Sequence, residues 1–172
     1  TAGADNAALL ALDPRNGHIL SLVGSRDFYD DEIDGQFNVI TLGLRQPGSS
    51  IKPIIYAAAF EKGYTPETVL FDTRTNFAPN ARAYTPENYD LQERGPVTMR
   101  QALQGSLNIP AVKTQYLVGN NAVGDFLSRL NYTTLDTDRL GLSLVLGGGE
   151  VKPMEHISSF AILANNGKNV TP

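Results

Sequence analysis

Residues 45–53 read RQPGSSIKP and contain a Ser-x-x-Lys tetrad that runs from Ser49 to Lys52. The apolar side chains that follow recur at helical spacing, and Pro53 is tolerated only within the first turn of a helix. The pattern therefore predicts a helix whose N-terminus lies at or next to Ser49. On a helix, residues i and i+3 lie about 60° apart with ~4.5 Å of rise, so the Ser49 hydroxyl can touch the Lys52 amine.

This tetrad is a candidate for nucleophilic catalysis. A serine hydroxyl is a poor nucleophile unless a base takes its proton, and a lysine can be that base once burial or a nearby charge lowers its pKa. The alternative is an N-cap serine followed by a solvated lysine, because a bare Ser-x-x-Lys occurs by chance roughly once in two chains of this length. Gly48, which permits close backbone approach, and Pro53, which fixes the helix start, favour the catalytic interpretation.

A second motif consists of Ser106, Leu107 and Asn108 and follows Gly105. It lies in a short break between two predicted helices, where polar side chains can point into a cleft. Taken alone, the motif is better explained by Ser106 or Asn108 capping the next helix. The two motifs together are more informative than either one.

The remaining pattern predicts an N-terminal β-hairpin and a mainly helical second half. Two short apolar runs, residues 7–12 and 18–23, flank a turn cluster, and because both are nearly continuous we expect a sheet covered on both faces. Residues 66–95 predict a long ordered loop. Helices are predicted over residues 97–104, 109–118, 123–130 and 153–165.

Residues 45–53, followed by residues 101–113 (QALQGSLNIPAVK), resemble the transpeptidase module of class A, bifunctional penicillin-binding proteins. The middle position of the second motif, Leu107, is more similar to the synthases than to the β-lactamases. Further matches are Phe37, Asn38, Tyr84, Pro86, Asn88, Tyr89 and residues 144–151 (LVLGGGEV). The resemblance implies an α+β, partial penicillin-binding protein/serine β-lactamase-like transpeptidase fold, with residues 1–172 as a single partial domain.

The resemblance also implies a reaction. Ser49 would attack the carbonyl of the penultimate D-alanine of a peptidoglycan stem peptide and leave an acyl-enzyme, which the amine of a neighbouring stem resolves. Lys52 would be the base for Ser49, Ser106 a proton relay toward the leaving amine, and Asn108 a hydrogen-bonding group for the substrate backbone or for Lys52. β-Lactams would acylate the same serine because they mimic the terminal D-Ala-D-Ala.

One family motif, Lys-Thr-Gly or Lys-Ser-Gly, does not occur in the sequence. In the family this motif lies on a later strand, so we expect a chain cut before the module ends, with later sheet strands missing. That strand supplies one oxyanion-hole amide, so the chain alone is expected to turn over poorly or not at all. An exposed sheet edge would favour self-association.

The resemblance further implies an upstream glycosyltransferase domain and an extracytoplasmic location, with a transmembrane anchor outside this sequence. Two other functions stay open. The same fold can act hydrolytically, as a D,D-carboxypeptidase or β-lactamase, or it can be a non-catalytic β-lactam sensor. An upstream glycosyltransferase domain would favour the synthase, a short secreted gene the hydrolase, and an upstream transmembrane signalling segment the sensor.

The composition excludes several other classes of function. The chain has 172 residues, a net charge of -4 and no cysteine, so thiolate metal sites and cysteine nucleophiles are excluded, and no basic run indicates a nucleic-acid partner. Residues 30–35 approximate the start of a calcium loop, but Glu32 and Thr41 are the wrong residues at their positions. Residues 147–149 indicate a tight turn, and His18 and His156 have no obvious co-ligands. We expect no metal and no cofactor.

Overall fold

The computed structural model describes residues 3–78 and 83–172. The strands are β1 (Leu9–Leu12), β2 (Ile19–Val23), β3 (Val69–Asp72) and β4 (Gly95–Thr98). The helices are α1 (Val39–Leu42), α2 (Lys52–Glu61), α3 (Met99–Gln104), α4 (Asn108–Val118), α5 (Asn120–Arg129), α6 (Thr137–Leu140) and α7 (Pro153–Ala164). Short 3-10 turns are formed by Asp31–Ile33, Gly48–Ile51 and Gly141–Leu146.

The chain forms two compact units, each assembled from separate segments. One unit contains Thr1–Gln46, Leu127–Leu135 and Glu150–Pro172, and the other contains Pro47–Phe126 and Asp136–Gly149. The residues of both sequence motifs lie in the second unit. The assignment of residues 1–172 to a single domain stays a prediction.

In the first unit, β1 and β2 pair antiparallel, which confirms the predicted hairpin. Helix α7 contacts β1. The expected cover on both faces is wrong for β2, because every residue of this strand is exposed and Leu20 keeps 68% of its surface accessible. A continuous apolar run shows that a strand can be buried, but burial also requires a neighbour on each face. Among the described residues no element encloses β2.

In the second unit, α2 packs against α4 and α3, and α4 packs against the 3-10 turn Gly141–Leu146. Helix α2 is buried on most of its circumference, with Ile54, Ile55 and Tyr56 fully inaccessible to solvent. The predicted helix from Ser49 is confirmed, and Pro53 lies in the first turn of α2 as expected. The residues just before α2 form a 3-10 turn rather than an α-helical one.

The predicted loop over residues 66–95 and the predicted helix start at Val97 are partly wrong. Strand β3 begins within the loop and pairs antiparallel with β4, and α3 begins at Met99 after that strand. Strand β3 has four residues of alternating burial, and one buried position is Asp72, so its hydrophobic pattern is too short to recognise. Residues 79–82 of the predicted loop lie outside the described residues.

The later helices follow the sequence prediction closely. Helices α4, α5 and α7 confirm the predictions over residues 109–118, 123–130 and 153–165, with bounds shifted by one to three residues. The four-residue helices α1 and α6 were not predicted, because one turn is too short to show a helical period. Within the part of the chain that the structure describes, no helix is both long and apolar enough to span a bilayer.

Candidate active site

The first motif lies on the junction between the 3-10 turn Gly48–Ile51 and helix α2. Side chains at i and i+3 eclipse in a 3-10 turn, so Ser49 and Lys52 lie on one face of this junction. The backbone N–H of Lys52 donates to the carbonyl of Ser49, which closes the turn. Ser49 is exposed, whereas Lys52 is only 1% exposed. The sequence thus places an exposed hydroxyl and a buried side chain one turn apart on the same face of this junction.

The amine of Lys52 is bound by the second motif. Its Nζ donates to the carbonyl oxygen of Ser106 at 2.6 Å and to Oδ1 of Asn108 at 2.8 Å, and it lies 3.2 Å from Oγ of Ser106. An ammonium has three donors, so these three oxygens match its capacity. A direct bond between the Ser49 hydroxyl and the Lys52 amine is not among the hydrogen bonds of the described residues. Lys52, Ser106 and Asn108 are therefore in contact, and Ser49 adjoins them through the turn.

Burial lowers the pKa of Lys52 to about 8. The three partners of the amine are neutral oxygens, and no described ion pair places a carboxylate beside it. Desolvation disfavours the charged amine, and without a carboxylate nothing offsets this effect fully. A lysine in this state can lose its proton near neutral pH, as a catalytic base must.

Ser106 lies in the corner between α3 and α4, where it has a left-handed backbone with φ of +49°. Few residues other than glycine adopt this conformation, which costs roughly 1–2 kcal/mol. The corner is closed by hydrogen bonds from the Ser106 N–H to the carbonyl of Leu103 and from the Leu107 N–H to that of Ala102. In this backbone conformation, the carbonyl oxygen and the hydroxyl of Ser106 both contact the amine of Lys52.

The capping explanation of the second motif is wrong. The N-cap position of α4 is Leu107, which has no capping side chain, and neither Ser106 nor Asn108 caps the helix. The first two N–H groups of α4, those of Asn108 and Ile109, instead donate to Oδ1 of Asn88 at 2.8 and 3.3 Å. Asn88 was noticed in the sequence only as a family match, because a cap supplied from a distant loop leaves no local signal.

The remaining candidate motifs have structural explanations. Asp30 caps the 3-10 turn Asp31–Ile33 and forms an ion pair with Arg26. At residues 147–149, where a tight turn was predicted, Gly147 ends the 3-10 turn Gly141–Leu146, and its N–H donates to the carbonyl of Leu144. Over residues 3–78 and 83–172, no group of three or more histidine, cysteine, aspartate or glutamate side chains could hold a metal ion.

Comparison with known proteins decides the family. The model of the penicillin binding protein transpeptidase domain matches residues 7–172. The chain belongs to the penicillin-binding protein transpeptidase family.

Relatives and solved structures support this membership. The chain is 38% identical to penicillin-binding protein 2D of Bacillus subtilis, over 99% of this chain and 24% of the relative. It is 33% identical to penicillin-binding protein 1A of Neisseria lactamica, over 95% of this chain and 20% of the relative. The crystal structure of penicillin-binding protein 1A from Haemophilus influenzae aligns with a TM-score of 0.83 at 31% identity, over 96% of this chain and 26% of that chain.

These comparisons confirm the predicted α+β fold of the penicillin-binding protein type. They also show that the chain spans about a quarter or less of the length of the relatives it matches.

In this transpeptidase-family chain, a glycine of the segment 144–151 supports the turn that carries Ser49. Gly147 has a φ of +78°, and a Cβ added there would lie 2.3 Å from both Cα and N of Gly48. Neighbouring Leu144 and Val145 are buried, so the segment cannot easily move away. Gly147 thus allows two backbones to approach closely at the turn Gly48–Ile51, which carries Ser49.

We predict that Gly147→Ala displaces this turn and destabilises the protein more than a change in backbone preference alone. Gly167→Ala is a matched control, since Gly167 has a φ of +80° but open space around it. Each alanine should cost roughly 1–2 kcal/mol for its left-handed backbone. Gly147→Ala should lose about 1–3 kcal/mol more through overpacking, measured by urea denaturation. Equal losses in the two variants would show that the contact with Gly48 is unimportant.

Proposed function

We propose that the protein containing this chain is a serine-type D,D-transpeptidase, which cross-links peptidoglycan stem peptides ending in D-Ala-D-Ala through an acyl-enzyme on Ser49. The observation that carries the proposal is the buried amine of Lys52, held by oxygens of Ser106 and Asn108 beside the exposed Ser49. Membership of the penicillin-binding protein transpeptidase family supports the choice of reaction.

In the proposed first step, Oγ of Ser49 attacks the carbonyl carbon of the penultimate D-alanine, and neutral Lys52 takes the hydroxyl proton. With a pKa of about 8, about a tenth of the Lys52 side chains are neutral at pH 7. The attack forms the new C–O bond and a tetrahedral oxyanion. When this intermediate collapses, the peptide C–N bond breaks and the leaving nitrogen needs a proton.

Ser106 is proposed to deliver that proton. Its Oγ lies 3.2 Å from Nζ of Lys52, and a hydroxyl can accept a hydrogen bond while donating another. Protonated Lys52 donates to Ser106, which in turn donates to the leaving nitrogen, so the terminal D-alanine departs with a neutral amine and Lys52 becomes neutral again. The amine of a neighbouring stem then attacks the acyl-enzyme, loses its proton to the same relay and regenerates Ser49.

Asn108 is proposed to hold both Lys52 and the substrate. Its Oδ1 accepts from Lys52, while its Nδ2 donates to the carbonyl of Glu87 at 2.9 Å. An amide nitrogen has two donors, so one N–H of Asn108 can still bind a carbonyl of the stem peptide. This arrangement would fix the substrate backbone relative to the base.

The partners and location proposed for the complete protein follow from its relatives. We propose β-lactams as inhibitors that acylate Ser49, an upstream glycosyltransferase domain, and an extracytoplasmic site with a membrane anchor in another part of the protein. The chain by itself is proposed to react weakly, since the Lys-Thr-Gly or Lys-Ser-Gly motif is not in this sequence. The exposed apolar side chains of β2 support the proposed self-association of the isolated chain.

Ser49→Ala in the complete protein should abolish covalent labelling by penicillin, since the substitution removes the proposed nucleophile. Ser50→Ala is the matched control, because Ser50 is also exposed and its hydroxyl donates to the carbonyl of Pro47. Intact-mass measurement should show one adduct in the wild type and in Ser50→Ala. An adduct that persists in Ser49→Ala, or none in the wild type, would overturn the assignment.

The products separate the transpeptidase from its hydrolytic alternative. Cross-linked stem dimers are expected from the complete protein, whereas release of D-alanine without dimers would indicate a carboxypeptidase.

The rate of penicillin acylation should rise from pH 6 to pH 9 with a midpoint near 8. The rate should rise with pH because only neutral Lys52 accepts the Ser49 proton, and the neutral fraction of Lys52 increases as the pH passes its lowered pKa. Lys52→Arg should reduce the rate by about 10²–10⁴-fold at all these pH values, because a guanidinium stays protonated.

Lys62→Arg is the control for that substitution. Lys62 follows α2 at its other end and donates to the carbonyls of Leu117 and Val118, which an arginine can also do. This variant should keep the wild-type rate and midpoint. A pH-independent wild-type rate between pH 6 and 9 would contradict the role of Lys52 as base.

A further inference from the structure

The side-chain amide of Asn88, a residue in the loop between β3 and β4, makes hydrogen bonds through both its nitrogen and its oxygen. It is 3% exposed, and its Nδ2 donates to both carboxylate oxygens of Asp72, at 2.8 and 2.9 Å, and to the carbonyl of Gln92 at 2.8 Å. A carboxylate can only accept, so the amide nitrogen must face Asp72. The opposite edge of the amide, Oδ1, must therefore face the N-terminus of α4.

Through that oxygen, Asn88 fixes the start of α4. The first N–H groups of a helix have no partner within the helix, and the local N-cap residue Leu107 offers none. Oδ1 of Asn88 accepts from Asn108 N–H and from Ile109 N–H across 20 and 21 residues of sequence. A serine or asparagine at position 107 could cap α4 locally. The distant cap instead ties the helix start to strand β3, which carries Asp72.

Two consecutive residues of the loop hold Asn108 at both ends. Asn88 binds its backbone N–H, and the carbonyl of Glu87 accepts from its Nδ2. With both contacts made, the remaining oxygen of the Asn108 side chain is the atom that meets Lys52 at 2.8 Å. The orientation of the Asn108 side chain is therefore determined by the loop as well as by α4.

The anchor of this arrangement is a fully buried carboxylate. Asp72 is 0% exposed, and besides Asn88 it accepts from the backbone N–H of Arg94 and lies 3.6 Å from the Arg94 guanidinium. Burying a carboxylate is costly unless hydrogen bonds and an opposite charge offset it. Here those groups come from Asn88 and from Arg94, which directly precedes β4. Asp72 is the last residue of β3, so the anchor lies at the end of the paired strands β3 and β4.

We propose that Asn88, held by Asp72, is a positioning residue that aims the Asn108 side chain at the Lys52 amine and thereby determines how fast Ser49 is acylated. The inference rests on the proposed function. Asn88 acts through Asn108 and does not touch the reacting atoms. Loss of its contacts should therefore slow the chemical step more than it weakens binding, since small displacements of a catalytic group cost up to about 100-fold in rate.

The test measures acylation of the complete protein by a fluorescent penicillin, separating the limiting rate constant from the half-saturating concentration. Asn88→Ala should lower the rate constant at least about tenfold and change half-saturation by less than about threefold. Asp136→Ala is the matched control, because Asp136 caps α6 in the same unit by accepting from Asp138 and Arg139 N–H groups. That variant should acylate at the wild-type rate.

Exchanging the residues at positions 72 and 88 tests whether the hydrogen bond between them positions Asn108. Asn88→Asp alone places two carboxylates together and should be as slow as Asn88→Ala. In the double variant Asp72→Asn/Asn88→Asp, residue 72 donates and residue 88 accepts, which removes the repulsion between two carboxylates and restores the contact to α4, while the Gln92 carbonyl loses its donor. This variant should be at least about threefold faster than Asn88→Asp alone.

The outcomes separate the two proposals. If the wild type forms no adduct, the proposed function fails. If the wild type is acylated and Asn88→Ala has the same rate constant, or is slowed no more than Asp136→Ala, the positioning role is overturned. Should Asn88→Ala fail to fold, the exchanged pair decides: a folded double variant that is no faster than Asn88→Asp also overturns it.

Discussion

The burial of one amine without a carboxylate is the constraint on which the site depends. Lys52 is almost inaccessible to solvent, and the hydrogen-bond partners of its amine among the described residues are oxygens of Ser106 and Asn108. A buried ammonium beside neutral acceptors is held weakly enough to release its proton near neutral pH, but it still needs every one of those acceptors. The corner between α3 and α4 must therefore lie against the first turn of α2, although more than 50 residues of sequence separate them.

Several local features that look unfavourable by themselves follow from this constraint. Ser106 adopts a left-handed backbone, Gly147 lies in backbone contact with Gly48, and Asp72 is a carboxylate without solvent. The left-handed backbone of Ser106 and the buried carboxylate of Asp72 cost stability at their own positions, whereas glycine at position 147 is what the close approach to Gly48 requires. Together they fix the direction of groups around Lys52 that a relaxed chain would leave free. Strained and buried polar groups gathered around one amine are typical of a protein that gives up some stability to preorganise a site.

The sequence predicted the parts of this arrangement that have local signals. The tetrad with Pro53 located the start of α2, and long apolar periods located α4, α5 and α7. Strands β3 and β4 were missed because four residues show too little alternation. In β3, one of the two buried positions carries the polar residue Asp72, so the hydrophobic pattern is interrupted. The capping role of Asn88 could not be inferred, since it depends on tertiary contacts 20 residues away. For β2, the sequence indicated burial, but the neighbour that burial requires cannot be read from the strand itself.

The most direct test of the central claim is an NMR titration of the complete protein with isotope-labelled lysine side chains. If burial among neutral oxygens determines the state of Lys52, its side-chain resonance, assigned by its loss in Lys52→Arg, should titrate with a midpoint near 8. A Lys52 midpoint at the ordinary lysine value of about 10.4 would contradict the claim that this amine is prepared to act as a base.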